Sequence, residues 1–283
     1  MSMSSGTSLR RLPVLQVYRM DDDVYERQRR IWNQDRIGAM RVLVGGAGAL
    51  GNEIVKNLVQ IGVKRVYVVD FDHVVASNLN RCLFFRRSDA LRRSKKVEVL
   101  ARRARQINSD VEVVPVHGDI RDLSDDVIRD VDVALGAFDN LHARLVLNLR
   151  CYERHVPLID GGIEGLLGTV QVVVPPFTPC IECGITDMDL QHLWERFSCG
   201  GEATGLEGPK IPYVPMTGAV VAGIQVAECV KVHLGLERFK REGNWSDSVG
   251  EPMAGKSLLI DLRTGSFYAY DLQRRSDCNV CSL

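Results

Sequence analysis

The chain has 283 residues, 45 % of them hydrophobic, and its 36 basic and 36 acidic side chains cancel. That length accommodates one large α/β unit with an insertion, and the zero net charge excludes a whole-protein affinity for nucleic acid or an anionic membrane. No uninterrupted apolar run approaches membrane-spanning length and no signal peptide opens the chain, which sets the expectation of a soluble cytoplasmic protein.

Residues 1–20, beginning "MSMSSGTSLRRLP", read as a flexible tail, and 21–283 as a single domain. "RVLVGG" (41–46) is a short apolar run ending in glycines, the pattern of a buried parallel strand. "ALGNEIVKNLVQIG" follows with Leu50, Ile54, Leu58 and Ile61 on one helical face and Gly62 as its stop. "RVYVVD" (65–70) is a second strand, 94–108 a helix, "VEVVPV" (111–116) a strand, and "DVALGAFDN" (132–140) a strand running into a loop. A helix at 141–155 and the strand "VPLIDGG" (156–162) complete a βαβ series and predict an α/β fold with a Rossmann-like, mainly parallel sheet. The segments 168–176, 256–265 and 266–273 alternate apolar and polar residues, so antiparallel strands are expected to extend that sheet. "MTGAVVAGIQVAECVKVHLG" (216–235) reads as a buried helix, and the glycine-rich stretch before it as a loop.

The chemistry-bearing residues begin with Gly46, Gly48 and Gly51. They follow a strand and open a helix, where the backbone must turn tightly and approach a phosphate at the positive helix end. Asp70 lies 19 residues beyond Gly51, at the distance of an acid that holds ribose hydroxyls. That loop alone serves NAD and ATP equally. The continuation "DFDHVVASNLNRC" favours ATP, because Asn78, Arg81, Lys95 and Lys96 suit a triphosphate more than a dinucleotide. Nine basic residues lie between Arg86 and Arg105, of which Arg102, Arg103 and Arg105 also fit a solvated helix face. Asp139 ends a strand where open α/β sheets place ligands, which suits a magnesium ligand or, alternatively, a helix N-cap. "CIEC" and "CNVC" supply Cys180, Cys183, Cys278 and Cys281, two CxxC pairs whose spacing predicts one structural zinc rather than disulfides. Cys151 and Cys229 fall on apolar helix faces and are expected in the core.

Together these motifs resemble the ubiquitin-activating-type (ThiF/MoeB-like) adenylating enzymes over residues 24 to 281. "YERQ", "GGAGALG", "DFDHVVASNLNR", "FDN", "VPMTGAVVAGIQVAE" and the two CxxC pairs carry the likeness. The resemblance implies that ATP and magnesium bind at the loop and that the C-terminal glycine of a ubiquitin-like protein is adenylated. It implies that Asp70 holds the ribose and that Asp72 belongs to the same signature. Asn78, Arg81 and a helix lysine would contact phosphates, and Asp139 would bind magnesium. Arg27 would reach the nucleotide of a partner subunit, so a homodimer is expected. The sequence departs from the family at Cys82, which replaces a glutamine, and at "RRSKK", which lacks the usual glycine. The lysine therefore lies between Lys95 and Lys96, and counting back from "KVE" favours Lys96.

Relatives that form a thioester carry their cysteine in the crossover loop, here 184–215, where Cys199 stands between Arg196 and Gly200. Cys82 is the rival nucleophile. The leading expectation is an activating enzyme for conjugation of a ubiquitin-like protein, with a ubiquitin-conjugating-type enzyme as a further partner. The alternative is an adenylyltransferase for a ubiquitin-fold sulfur carrier of the molybdopterin or thiamine type. An adenylating dehydratase acting on tRNA and a non-catalytic scaffold are the remaining hypotheses.

Overall fold

The computed structural model describes residues 23–185, 212–245 and 248–281. Strand β1 (Arg41–Gly45) is apolar and almost wholly buried, as a strand covered on both faces must be. It pairs in parallel with β2 (Arg65–Val69) on one side and β4 (Val133–Gly136) on the other. Beyond them lie β3 (Glu112–Val116) and β5 (Leu158–Glu164), also parallel. The direction then alternates through β6 (Leu167–Val173), β7 (Lys256–Asp261) and β8 (Ser266–Asp271). The resulting order, β3-β2-β1-β4-β5-β6-β7-β8, is the Rossmann-like sheet with an antiparallel extension that the sequence predicts. Chain order reverses at β1, between β2 and β4, which makes the crevice above these strands the expected ligand site.

Helix α1 (Gln34–Ile37) precedes the sheet, and α2 (Ala49–Ile61) follows β1. Gly62 ends α2 at φ +75°, a left-handed turn that costs glycine least. Helices α3 (Arg87–Leu91), α4 (Lys96–Ala104), α5 (Asp125–Asp130) and α6 (Leu141–Glu153) complete the parallel half.

Helix α7 (Pro215–Glu242) is longer than the sequence suggests. Gly235 does not stop it, because that glycine serves close packing: a Cβ there would lie 3.0 Å from the Trp245 ring. The stop is Gly243, at φ +74°. By length and composition α7 could cross a membrane, but 56 % of its most apolar window is buried inside the fold. It packs on α2, β5 and β6, and its buried Gln225 donates to the carbonyls of Gly136 and Ile159. These contacts identify it as a core helix.

Two apolar layers flank the sheet. One joins α2, α4 and α7 to its strands, and the other joins α5 and α6 to the cysteine knuckles.

Candidate nucleotide site and four-cysteine centre

The three glycines of the loop do different work. Gly46 stands at φ +104°, and a Cβ there would lie 2.7 Å from the Ala137 carbonyl oxygen. A Cβ on Gly51 would lie 2.0 Å from the Gly46 carbonyl oxygen. These two permit the turn and its close approach to the end of β4. Among the described residues, a Cβ on Gly48 would meet nothing within 4 Å, so these residues leave open space at the start of α2. No side chain caps this helix, and its first N–H groups are the donors an anion needs.

Asn52, fully buried, braces the loop by donating to the carbonyls of Ala47 (2.9 Å) and Gly48 (2.8 Å). Its Oδ1 accepts from the Phe84 N–H at 2.9 Å, tying the loop to the segment that carries Arg81. Asp70 closes the other side, accepting from the N–H groups of Ala47 (2.8 Å) and Asp72 (2.7 Å). Burial raises its carboxyl pKa, a shift that Lys96 and the two N–H groups oppose in part.

Lys96 and Lys95 point to different partners. Lys96, at the first position of α4, is buried, and its Nζ donates to Asp72 Oδ2 at 2.6 Å. Burial disfavours its charge, but Asp70 and Asp72 outweigh that and hold its pKa above the ordinary lysine value. Lys95 pairs with Glu98 at 3.3 Å.

Arg81 donates to the Ser77 carbonyl and to Asn80 Oδ1, and its guanidinium lies 5.6 Å from the centre of the Tyr213 ring. Asn78 is buried, and its Oδ1 accepts from the Val75 N–H at 3.0 Å, so it shapes the turn that presents Arg81. Of the downstream cations, Arg103 is spent on the buried Asp89 carboxylate and Arg105 on the Val113 carbonyl. Arg103 is thereby drawn into the fold, whereas Arg105 stays exposed, as does Arg102, 3.6 Å from Asp89, in keeping with a solvated face at those two positions.

Asp139 is exposed just past β4. The N-cap of α6 is Asn140, whose Oδ1 accepts from the Ala143 N–H at 2.8 Å, so the alternative capping role falls to the neighbour. Because the Gly46 backbone packs against Ala137, Asp139 stands two residues from the loop's own contact. An exposed carboxylate in that place fits a magnesium ligand whose remaining partners are phosphate and water oxygens.

Arg27 is exposed at the head of the turn Gln28–Arg30. The adjoining Tyr25 packs on Gly62 at the C-terminal end of α2, and its hydroxyl accepts from Asn108 at 2.7 Å. Arg27 thus belongs to a segment docked at the far end of α2 from the glycine loop. That helix has 13 residues, so it spans about 20 Å at 1.5 Å per residue.

Cys199 lies outside the described residues. Cys82 is buried, and burial pushes its thiol up to about 12. Such a thiol is a poor nucleophile near neutral pH. Cys151 and Cys229 are fully buried, as expected.

The four remaining cysteines converge. The Sγ atoms of Cys180, Cys183, Cys278 and Cys281 all lie within 4.8 Å of one another. Cys180 and Cys278 are 3.6 Å apart, and Cys183 and Cys281 3.5 Å. Both separations are too long for a disulfide of about 2.05 Å. They are close to the edge of about 3.8 Å in a tetrahedron with zinc–sulfur bonds of about 2.3 Å. Glu182 reinforces the junction by accepting from the backbone and side-chain nitrogens of Asn279. The donor set fits zinc.

Three features escape sequence reasoning: the Asn52 brace, the Tyr213 ring under Arg81, and an ion pair between Arg144 and the fully buried Asp160. Asn52, a polar residue one turn past Gly48, had the clearest local signal, since it lies where the helix turns into the fold.

Fold and site define a Rossmann-like α/β domain whose glycine loop, acids and lysine meet at the sheet's switch point, with a four-cysteine centre stapling its C-terminal end. Residues 20–280 match the ThiF family, and the chain belongs to that family. It is 32 % identical over 205 residues to the sulfur carrier protein ThiS adenylyltransferase of Bacillus subtilis (strain 168), covering 72 % of this chain and 57 % of that one. It is 35 % identical over 159 residues to the NEDD8-activating enzyme E1 catalytic subunit of Arabidopsis thaliana, covering 52 % and 35 %. The adenylyltransferase and sulfurtransferase MOCS3-1 of Zea mays is 28 % identical over 272 residues, 95 % of this chain and 53 % of that one. The chain therefore spans less than two thirds of the length of each of these relatives. Among solved structures, E. coli MccB with succinimide superposes with a TM-score of 0.66 at 20 % identity, covering 88 % of this chain and 67 % of that one, a likeness of fold.

Proposed function

We propose that the chain uses magnesium-ATP to adenylate the C-terminal glycine of a ubiquitin-like protein and then takes the acyl group onto Cys199 for conjugation. The observation that carries this reading is the space that the described residues leave at Gly48, at the start of a helix with no side-chain cap, with Asp70 bonded to the loop and the buried, charged Lys96 bonded to Asp72. A ribose fits Asp70, and phosphates fit the helix start with Lys96 and Arg81. The glycine carboxylate attacks the α-phosphorus, the bond to the bridging oxygen breaks, and pyrophosphate leaves with that electron pair. Lys96 and Arg81 stabilise the charge that gathers on the phosphate oxygens. Magnesium on Asp139 would supply further neutralisation. In the second step the Cys199 thiolate attacks the acyl carbon and AMP departs.

The placement of Arg27 supports a homodimer in which this arginine serves the partner's nucleotide, since about 20 Å of helix separates its segment from its own loop. A ubiquitin-conjugating-type enzyme would accept the acyl group from Cys199.

A second reading stops at the adenylate and hands it to sulfur transfer. The Bacillus relative named for the sulfur carrier ThiS favours it, since that match covers 72 % of this chain. Incubation with ATP, magnesium and a ubiquitin-fold protein ending in a free glycine, followed by a non-reducing gel, separates the two. The conjugation reading expects a reductant-sensitive adduct that vanishes with Cys199→Ala. An adenylated carrier with no such adduct in the native chain would favour the second reading, and the absence of both products would overturn the adenylation itself.

A further inference from the structure

We infer that Tyr213 is a positioning residue for Arg81: its ring face holds the guanidinium at the phosphate site. The inference rests on the role proposed above for Arg81 and goes beyond it, to what sets that side chain's direction.

Arg81 follows a short turn, Ala76–Asn78, and its local partners are the Ser77 carbonyl of that turn and Oδ1 of the adjacent Asn80. Both contacts are made by Nη1, so they tie one corner of the guanidinium to its own local segment and to nothing beyond it. The Tyr213 ring adds an anchor 132 residues away in sequence, with the guanidinium carbon 5.6 Å from its centre. That separation is within cation–π range, and a planar guanidinium suits an aromatic face better than an ammonium would.

The ring is itself immobilised. Tyr213 pairs with Gly165 in the turn between β5 and β6, and the Gly165 N–H donates to the Pro212 carbonyl at 2.8 Å. Thr217, in the first turn of α7, donates to the Gly165 carbonyl at 2.8 Å. The hydroxyl end is wedged against Gly218, where a Cβ would lie 1.8 Å from Oη. That hydroxyl is buried and has no hydrogen-bond partner among the described residues. The ring therefore connects the start of α7 to the arginine proposed to meet the nucleotide, and among the described residues Nε and Nη2 remain for phosphate.

The test is calorimetric binding of magnesium-ATP and of adenosine to the full chain and its variants. Tyr213→Leu is expected to weaken ATP binding about fivefold to tenfold, the scale of one lost cation–π contact, with adenosine binding unchanged. Tyr213→Phe keeps the ring and is expected to rescue ATP affinity to within about twofold of native. In an Arg81→Ala background, Tyr213→Leu is expected to have no further effect on ATP, because the two act as one unit. Equal loss with Tyr213→Phe, equal loss for adenosine, or additive losses with Arg81→Ala would each overturn the inference, as would undiminished ATP binding by Tyr213→Leu. Adenylation fails separately, when the native chain binds ATP but transfers nothing to any carrier.

Discussion

The ammonium of Lys96 lies 2.6 Å from Asp72 Oδ2 and faces Asp70, so one buried cation holds together two acids of the nucleotide site. Removing it leaves both carboxylates without their counter-charge beside an incoming triphosphate. Lys96→Ala is expected to lower ATP–pyrophosphate exchange by roughly a hundredfold to a thousandfold, the cost of one lost charge-stabilising donor. Lys95→Ala removes only a pairing with Glu98 and is expected to change the rate by less than about threefold. Comparing the two variants in one exchange assay checks the assignment, and equal losses would refute it.

The loop glycines separate folding from binding. A Cβ at Gly51 collides with the Gly46 carbonyl, so Gly51→Ala is expected to cost about 3 kcal/mol or more of stability. A Cβ at Gly48 meets nothing among the described residues, and φ there is −73°, an ordinary value for alanine. Gly48→Ala is therefore expected to melt within about 1 kcal/mol of native and to bind ATP markedly less well. Thermal melts paired with nucleotide titrations read both outcomes.

The four-cysteine centre is expected to hold one zinc per chain. Metal analysis of freshly purified protein measures this directly. Cys278→Ser is expected to lower stability by several kcal/mol, because binding at such a site is coupled to folding. A metal-free chain with native stability would contradict the assignment.

Cys82 makes stability depend on pH in a definite direction. Its thiol stays protonated in the folded chain up to about 12, against a starting value of 9.0 when unburied. Between those values the folded state holds the extra proton. Its contribution is whole below about pH 9 and is lost as pH rises toward 12, at up to about 1.4 kcal/mol per pH unit. Denaturant melts of native chain and Cys82→Ala above pH 9 should show a shallower decline in the variant. The same burial predicts slow alkylation of Cys82 at neutral pH.

Much of this architecture was legible in the sequence. Continuous apolar runs such as "RVLVGG" mark strands buried on both faces, and alternation marks the antiparallel extension. The cysteine pairs were legible because ligand chemistry fixes their spacing. What escaped depends on contacts between distant residues. The sequence reading ends this helix at 235, and the approach of Trp245 to Gly235 shows that the glycine serves packing while α7 passes through it. Asp139 and Asn140 are both good caps by type, and only the bond to Ala143 separates them. The Arg144–Asp160 and Arg81–Tyr213 pairs join segments that no local pattern relates.

Adenylation of a ubiquitin-fold carboxyl terminus is read out by carrier-dependent ATP–pyrophosphate exchange. The native chain is predicted to exchange label only with magnesium and a ubiquitin-fold protein that ends in a free glycine. Asp139→Ala is predicted to abolish the exchange while the carrier still binds. Tight ATP binding without carrier-dependent exchange across ubiquitin-fold proteins would rule out this activity, and exchange undiminished in Asp139→Ala would remove Asp139 from it.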